Sequence, residues 1–99
     1  DDFMQLPSAI KIYNNYPNPF NPATTLSYEL SIDSKVRICI YDMNGRLVKL
    51  LTSSRQKAGR HSVNWNSKNE LDQKVSTGMY IYSIQTDNDI ETSKMILLK

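Results

Sequence analysis

Residues 35–48 read Lys35-Val36-Arg37-Ile38-Cys39-Ile40-Tyr41-Asp42-Met43-Asn44-Gly45-Arg46-Leu47-Val48. From Lys35 to Asp42 the side chains alternate, with Val36, Ile38 and Ile40 on one face and Arg37, Cys39 and Tyr41 on the other. A period of two is that of a half-buried β-strand, and the β-branched residues fit its pleated surface. Asp42-Met43-Asn44-Gly45 then ends in Asn-Gly, a strong hairpin signal because both residues tolerate positive φ. Apolar residues resume from Arg46 to Thr52 with Leu47, Val48, Leu50 and Leu51.

The same reading extends outward along the chain. Thr24 to Leu30 places Leu26, Tyr28 and Leu30 on one face. His61, Val63 and Trp65 alternate with Ser62, Asn64 and Asn66, and Tyr80, Tyr82 and Ile84 share a face within Met79 to Gln85. Ile90 to Leu98 and a weaker Ser8 to Tyr13 bring the total to about seven strands. Asp33-Ser34 and Asp87-Asn88-Asp89 mark reversals. Gly59 and Gly78 precede strands at corners where a residue without Cβ turns easily. Ser67 to Thr77 reads as polar loop with room for one turn of helix, and no longer stretch has a 3.6-residue apolar period. An all-β antiparallel sandwich or barrel follows, and Trp65, placed to pack between two layers, favours the sandwich.

At 99 residues with 39% hydrophobic composition, one core suffices without metals or disulfides. The net charge of +2 is too small to call for a nucleic-acid partner, and the basic residues are scattered over strand faces. No apolar run approaches the ~20 residues of a membrane-spanning helix. Cys39 is the only cysteine, so it can pair only between chains. Its strand setting suggests a packed residue and not a low-pKa thiol.

Catalytic chemistry needs convergent polar groups, and few are offered. His61 is the sole histidine and shares a strand face with Val63 and Trp65, which suits a structural imidazole. No nucleophile elbow or paired carboxylate spacing is present. Asp87-Asn88-Asp89 has oxygen ligands of the type calcium takes, but three contiguous turn residues lack the alternating loop of such a site. Three glycines are too few for a phosphate loop. Neither an enzyme nor a cofactor is expected.

One segment exceeds what a turn requires. Tyr13-Asn14-Asn15-Tyr16-Pro17-Asn18-Pro19-Phe20-Asn21-Pro22-Ala23-Thr24-Thr25 holds three prolines within six residues, which excludes helix and central strand. Each proline also extends the residue before it, and Phe20 is expected to pin the loop to the sandwich edge. The run from Asn15 to Pro22, followed by Thr24-Thr25-Leu26-Ser27-Tyr28, resembles the opening of the type A C-terminal sorting domain of the type IX secretion system. Four further segments match in order: Ile40 to Val48, Ala58 to Trp65, Ser76 to Tyr82 and Lys94 to Lys99. The resemblance spans roughly residues 12–99.

The resemblance implies an immunoglobulin-like sandwich at the C-terminus of a larger cargo protein in Bacteroidota-like Gram-negative bacteria. Its implied partners are the type IX translocon at the outer membrane and a sortase-like surface peptidase that removes the domain. The cargo is released or attached at the cell surface, and the domain is the address. Family motifs fall on Pro17, Asn18, Pro19, Phe20, Asn21 and Pro22, on Asp42, Asn44 and Gly45, on Gly59 and Trp65, and on Gly78 with Tyr80. Lys94, Met95, Ile96, Leu97, Leu98 and Lys99 form the candidate segment for translocon recognition, by strand addition if it lies on a sheet edge. The same residues also read as an edge strand guarded by lysines. Residues 1–8 are expected to be a linker remnant from the cargo and 9–99 the sorting domain. The alternatives are an immunoglobulin-like scaffolding domain of a flagellar hook-capping-type protein, or a carbohydrate-binding module using Tyr13, Tyr16 and Tyr41.

Overall fold

The structure, a computed structural model, describes residues 8–98. Seven strands follow in chain order: β1 (Ile10–Ile12), β2 (Thr24–Leu30), β3 (Ser34–Tyr41), β4 (Leu47–Gln56), β5 (Gly59–Trp65), β6 (Gly78–Gln85) and β7 (Ile90–Leu97). They form a three-stranded sheet, β1-β2-β5, facing a four-stranded sheet, β4-β3-β6-β7, and every strand pair is antiparallel. This is the expected all-β sandwich, and residues 67–77 hold no helix.

The alternation read from the sequence supplies the two inner faces. Leu26, Tyr28 and Leu30 from β2 meet Val36, Ile38 and Ile40 from β3, Tyr82 and Ile84 from β6, and Met95 and Leu97 from β7. Trp65 closes one end of this core, 5.8 Å from the Phe20 ring and 5.4 Å edge-on from Tyr80. Burial pushes the phenol pKa values of Tyr28, Tyr80 and Tyr82 up, so all three stay neutral and donate hydrogen bonds from the core margin. Tyr28 donates to Gln56 Oε1, and Tyr80 to the Ser76 carbonyl oxygen.

Two details differ from the sequence reading. The return strand β4 runs to Gln56, past the apolar residues, because Ser53 to Gln56 keep pairing with β3 down to Ser34. Its register slips twice, leaving Leu51 and Val48 each without an opposite residue. Both pack against the core, while their neighbours Leu50 and Leu47 pair with the outward-facing Cys39 and Tyr41. Two β-bulges thus let two consecutive apolar pairs serve both faces of one strand.

The hairpin between β3 and β4 is the second. Gly45 alone takes positive φ, at 82°, and the Gly45 amide donates to the Asp42 carbonyl at 3.0 Å. That is a four-residue turn, Asp42 to Gly45, whose last residue alone is left-handed, whereas the sequence reading allowed positive φ at both Asn44 and Gly45. Asp42 stabilises it: Oδ1 accepts from the amides of Asn44 and Arg46 at 2.9 and 3.0 Å, and Oδ2 pairs with Arg46 Nε at 3.1 Å. The Arg46 amide, with smaller help from the Asn44 amide and the Arg46 guanidinium, holds the Asp42 carboxyl below its usual pKa.

Candidate functional site

The proline-rich segment does more than enter the first long strand. Tyr16 bridges Thr25 of β2, and the chain then crosses to the opposite sheet. There Phe20 lies parallel to β7: its amide donates to the Ile96 carbonyl at 2.9 Å, and its carbonyl accepts from the Leu98 amide at 2.9 Å. Asn18 Oδ1 accepts from the Ile96 amide at 3.0 Å. Phe20 itself is buried beside Trp65, so the loop is anchored in the core and not only at its edge.

Three polar residues hold this loop. Asn15 is buried and donates to Thr24 Oγ1 at 3.0 Å, and Thr24 in turn donates to the Pro17 carbonyl at 2.8 Å. Ser67 is buried at the other end and donates to the Pro22 carbonyl. A buried hydroxyl or amide must find a partner, and these find the carbonyls that prolines leave without an adjacent donor. Their only sequence signal was proximity to the prolines, which Ser67 lacks.

The candidate recognition segment divides in two. β7 is the edge strand of its sheet, as its lysines suggested, but Met95 and Leu97 are buried in the core. Lys94, Ile96 and Leu98 point outward, and Lys99 lies outside the described residues. The backbone at Ile96 and Leu98 is already bonded to Asn18 and Phe20, so a strand could be added there only by displacing the loop. Asn21 and Pro22, Val75 to Thr77, and Leu97 with Leu98 border a cleft of about 460 Å³.

The other motif residues take structural positions. Gly78 opposes Leu97 and Gly59 opposes Leu30, with φ of 140° and 127° that side chains rarely adopt. The Trp65 indole donates to the Lys68 carbonyl at 2.9 Å, which fixes the start of the 67–77 loop. His61 stacks on Tyr28 at 5.6 Å, with Nε2 2.7 Å from the Lys57 carbonyl, a structural placement. Among the described residues no three His, Cys, Asp or Glu side chains group to hold a metal. Asp87 to Asp89 form the β6–β7 turn, where Thr86 and Asp89 bond each other. Cys39 is buried, so pairing between chains would require local opening.

The three candidate tyrosines do not assemble. Tyr13 and Tyr16 sit outside the three-stranded sheet, beside Ser27 and Thr25, whereas Tyr41 belongs to the other sheet. The Arg60 guanidinium lies 3.9 Å over the Tyr13 ring and occupies the face a sugar would use.

The family described as the secretion system C-terminal sorting domain matches residues 14–98. The chain belongs to that family. Sorting domains of this kind are thus the frame for the motifs above. Among solved structures the chain is similar to dimeric latent PorU from Porphyromonas gingivalis, at 20% identity and TM-score 0.72 over 96% of this chain. It is similar to PorZ, a surface component of the type IX secretion system of the same organism, at 20% identity and TM-score 0.65 over 89%. FlgD of Xanthomonas campestris, a hook-capping protein, shares 24% identity and TM-score 0.60 over 91% of this chain and 62% of its own. These likenesses establish a shared fold. The sorting domain spans only 10% of the PorU chain and 11% of the PorZ chain. No curated protein matches the sequence.

Proposed function

We propose that this domain is the export address of a larger protein, read by a type IX secretion system at the outer membrane of a Gram-negative bacterium. The upstream cargo on the same chain carries the activity, and the domain is a non-catalytic module. A sortase-like surface peptidase removes it as the cargo is released or attached at the cell surface. The observation that carries this reading is the family match over residues 14–98. Support comes from the way Pro17 to Pro22 and Lys94 to Leu98, nearly eighty residues apart, bond to each other at one end of the sandwich. Among the described residues of the terminal segment, Lys94, Ile96 and Leu98 are the side chains open to a reader.

The test is export of a periplasm-directed fluorescent reporter carrying residues 9–99 at its C-terminus, in a host with a working type IX system. Deleting the terminal segment would also remove Met95 and Leu97 from the core. The informative variant is therefore Ile96→Asp with Leu98→Asp, which alters outward positions alone. Wild-type reporter at the surface and variant retained in the periplasm supports the reading. Retention of the folded wild-type fusion overturns it and favours the hook-capping type of scaffold, whose fold this domain shares.

A further inference from the structure

The outward positions of the four-stranded sheet are set by parity against the buried residues. On β3 they are Lys35, Arg37, Cys39 and Tyr41, and β4 places Arg55, Ser53, Leu50 and Leu47 opposite them in that order. β6 brings Met79, Ile81, Ser83 and Gln85, and β7 brings Ile96, Lys94, Thr92 and Ile90 against them in that order. One end of this face is apolar and part-exposed, from Leu47 and Tyr41 across Ile81 to Met79 and Ile96, and the middle row is Leu50, Cys39, Ser83 and Thr92. The opposite end is basic. Lys35 and Arg55 are directly opposed, an arrangement that destabilises a sheet. With Arg37 and Lys94 the outward positions carry four positive charges and no carboxylate. Asp42 and Glu70 at the β4 side are engaged by Arg46 and Lys49. Asp87, in the β6–β7 turn, borders a hollow of about 220 Å³ together with Lys35 and Arg37.

We infer that this face docks a protein surface of the export machinery that has an apolar patch beside an acidic one. Exposed apolar residues next to charge, with tyrosine, methionine and arginine among them, are the composition of a protein–protein interface. Opposed like charges cost the free domain stability, and an acidic partner relieves that cost on docking. Strand spacings give a flat face on the order of 400 Å², the scale of a transient encounter and not of a permanent complex. The strands that carry three of the five matching segments (Ile40 to Val48, Ser76 to Tyr82 and Lys94 to Lys99) are those that expose Tyr41, Leu47, Met79, Ile81, Lys94 and Ile96 here. The identity of the partner as export machinery rests on the sorting reading; the chemistry of the face does not.

Two matched charge reversals test it in the reporter fusion: Arg37→Glu with Lys94→Glu on this face, and Lys11→Glu with Arg60→Glu on the opposite sheet. Thermal melts establish that both remain folded. The first is expected to lower surface reporter about tenfold or more, and the second less than about twofold, because like-charge juxtaposition at an interface costs several kcal/mol. Export of the first variant at the wild-type level overturns the docking face and leaves the sorting reading intact. A second measurement is independent of export. The 99-residue chain is titrated with a short synthetic peptide of alternating Asp and Phe, and separately with phosphatidylcholine vesicles containing about one-fifth phosphatidylglycerol. Amide NMR shifts at Arg37, Ile81 and Lys94 with the peptide, abolished by the reversal, are expected. Response to vesicles alone assigns the face to an anionic lipid surface and overturns the protein assignment. If the wild-type fusion is not exported while the peptide maps here, the sorting reading falls and the docking face stands.

Discussion

The two outer faces of the sandwich are built from the same kind of alternating strand and have opposite characters. On the three-stranded sheet the outward residues are polar and mutually satisfied. Thr25 donates to Asn64 across the β2–β5 pair at 2.7 Å, Tyr13 donates to Glu29 at 2.7 Å, and Arg60 covers the Tyr13 ring. On the four-stranded sheet the outward residues leave apolar surface at one end and opposed cations at the other. Outward cross-strand pairs add stability on the three-stranded sheet and subtract it at Lys35 and Arg55, so the contrast marks the face on which folding alone is not served. Strand pattern alone could not distinguish the two, because a period of two says which residues point out and not what awaits them.

The shared core is what allows the faces to differ, and Trp65→Ala is the strongest way to break it. Loss of its contacts with Phe20 and Tyr80 is expected to cost about 3–5 kcal/mol and to unfold both sheets together in chemical denaturation. Separate transitions for the two sheets would show that they are not one cooperative unit. Phe20→Ala is expected to cost somewhat less, about 3 kcal/mol, since the loop is also held through Asn15, Thr24 and Ser67. Hydrogen exchange should quicken at the Ile96 and Leu98 amides, which bond Asn18 and Phe20, before it does in the part of β2 beyond Thr25, which pairs with β5.

Smaller changes sharpen the contrast between the faces. Asp42→Asn removes the ionised acceptor of the β3–β4 turn and is expected to lower the melting temperature slightly at neutral pH. The Asp42 pKa is depressed in the folded state. Its contribution is therefore complete above the ordinary aspartate value of about 3.9 and is lost as pH falls through the folded pKa. Melts of both proteins should accordingly converge in strong acid. Lys35→Glu should raise stability by about half a kcal/mol, since it turns a like-charge pair with Arg55 into an attractive one. Arg60→Glu should lower it by a similar amount, because it opposes Glu29 and uncovers Tyr13. The same sign for both would erase the electrostatic distinction drawn between the two sheets.

How far the sequence was legible depended on whether the signal was local. Val36, Ile38 and Ile40 announced β3, and Leu26, Tyr28 and Leu30 announced β2, since alternation needs only near neighbours. The bulges at Val48 and Leu51 were not legible, because a register slip is a property of a strand pair and not of one strand. Phe20 was recognised as an anchor but placed at the edge; its burial beside Trp65 depends on a neighbour forty-five residues away. The terminal segment was read both as a recognition segment and as an edge strand, and it is an edge strand; its division into core residues Met95 and Leu97 and outward residues Lys94, Ile96 and Leu98 required the register with β6. Ser67 illustrates the limit: nothing near it in the chain shows that its hydroxyl serves Pro22.

The bond between Phe20 and β7 also bears on the order in which the molecule is made. Synthesis delivers Asn18 and Phe20 early and Ile96 and Leu98 some eighty residues later, and neither partner is complete without the other. A polypeptide interrupted before residue 95 lacks Met95 and Leu97 for its core and leaves the proline loop with no strand to grip. The finished sandwich is therefore a record that synthesis has passed β7, since the core closes only once that strand has been delivered.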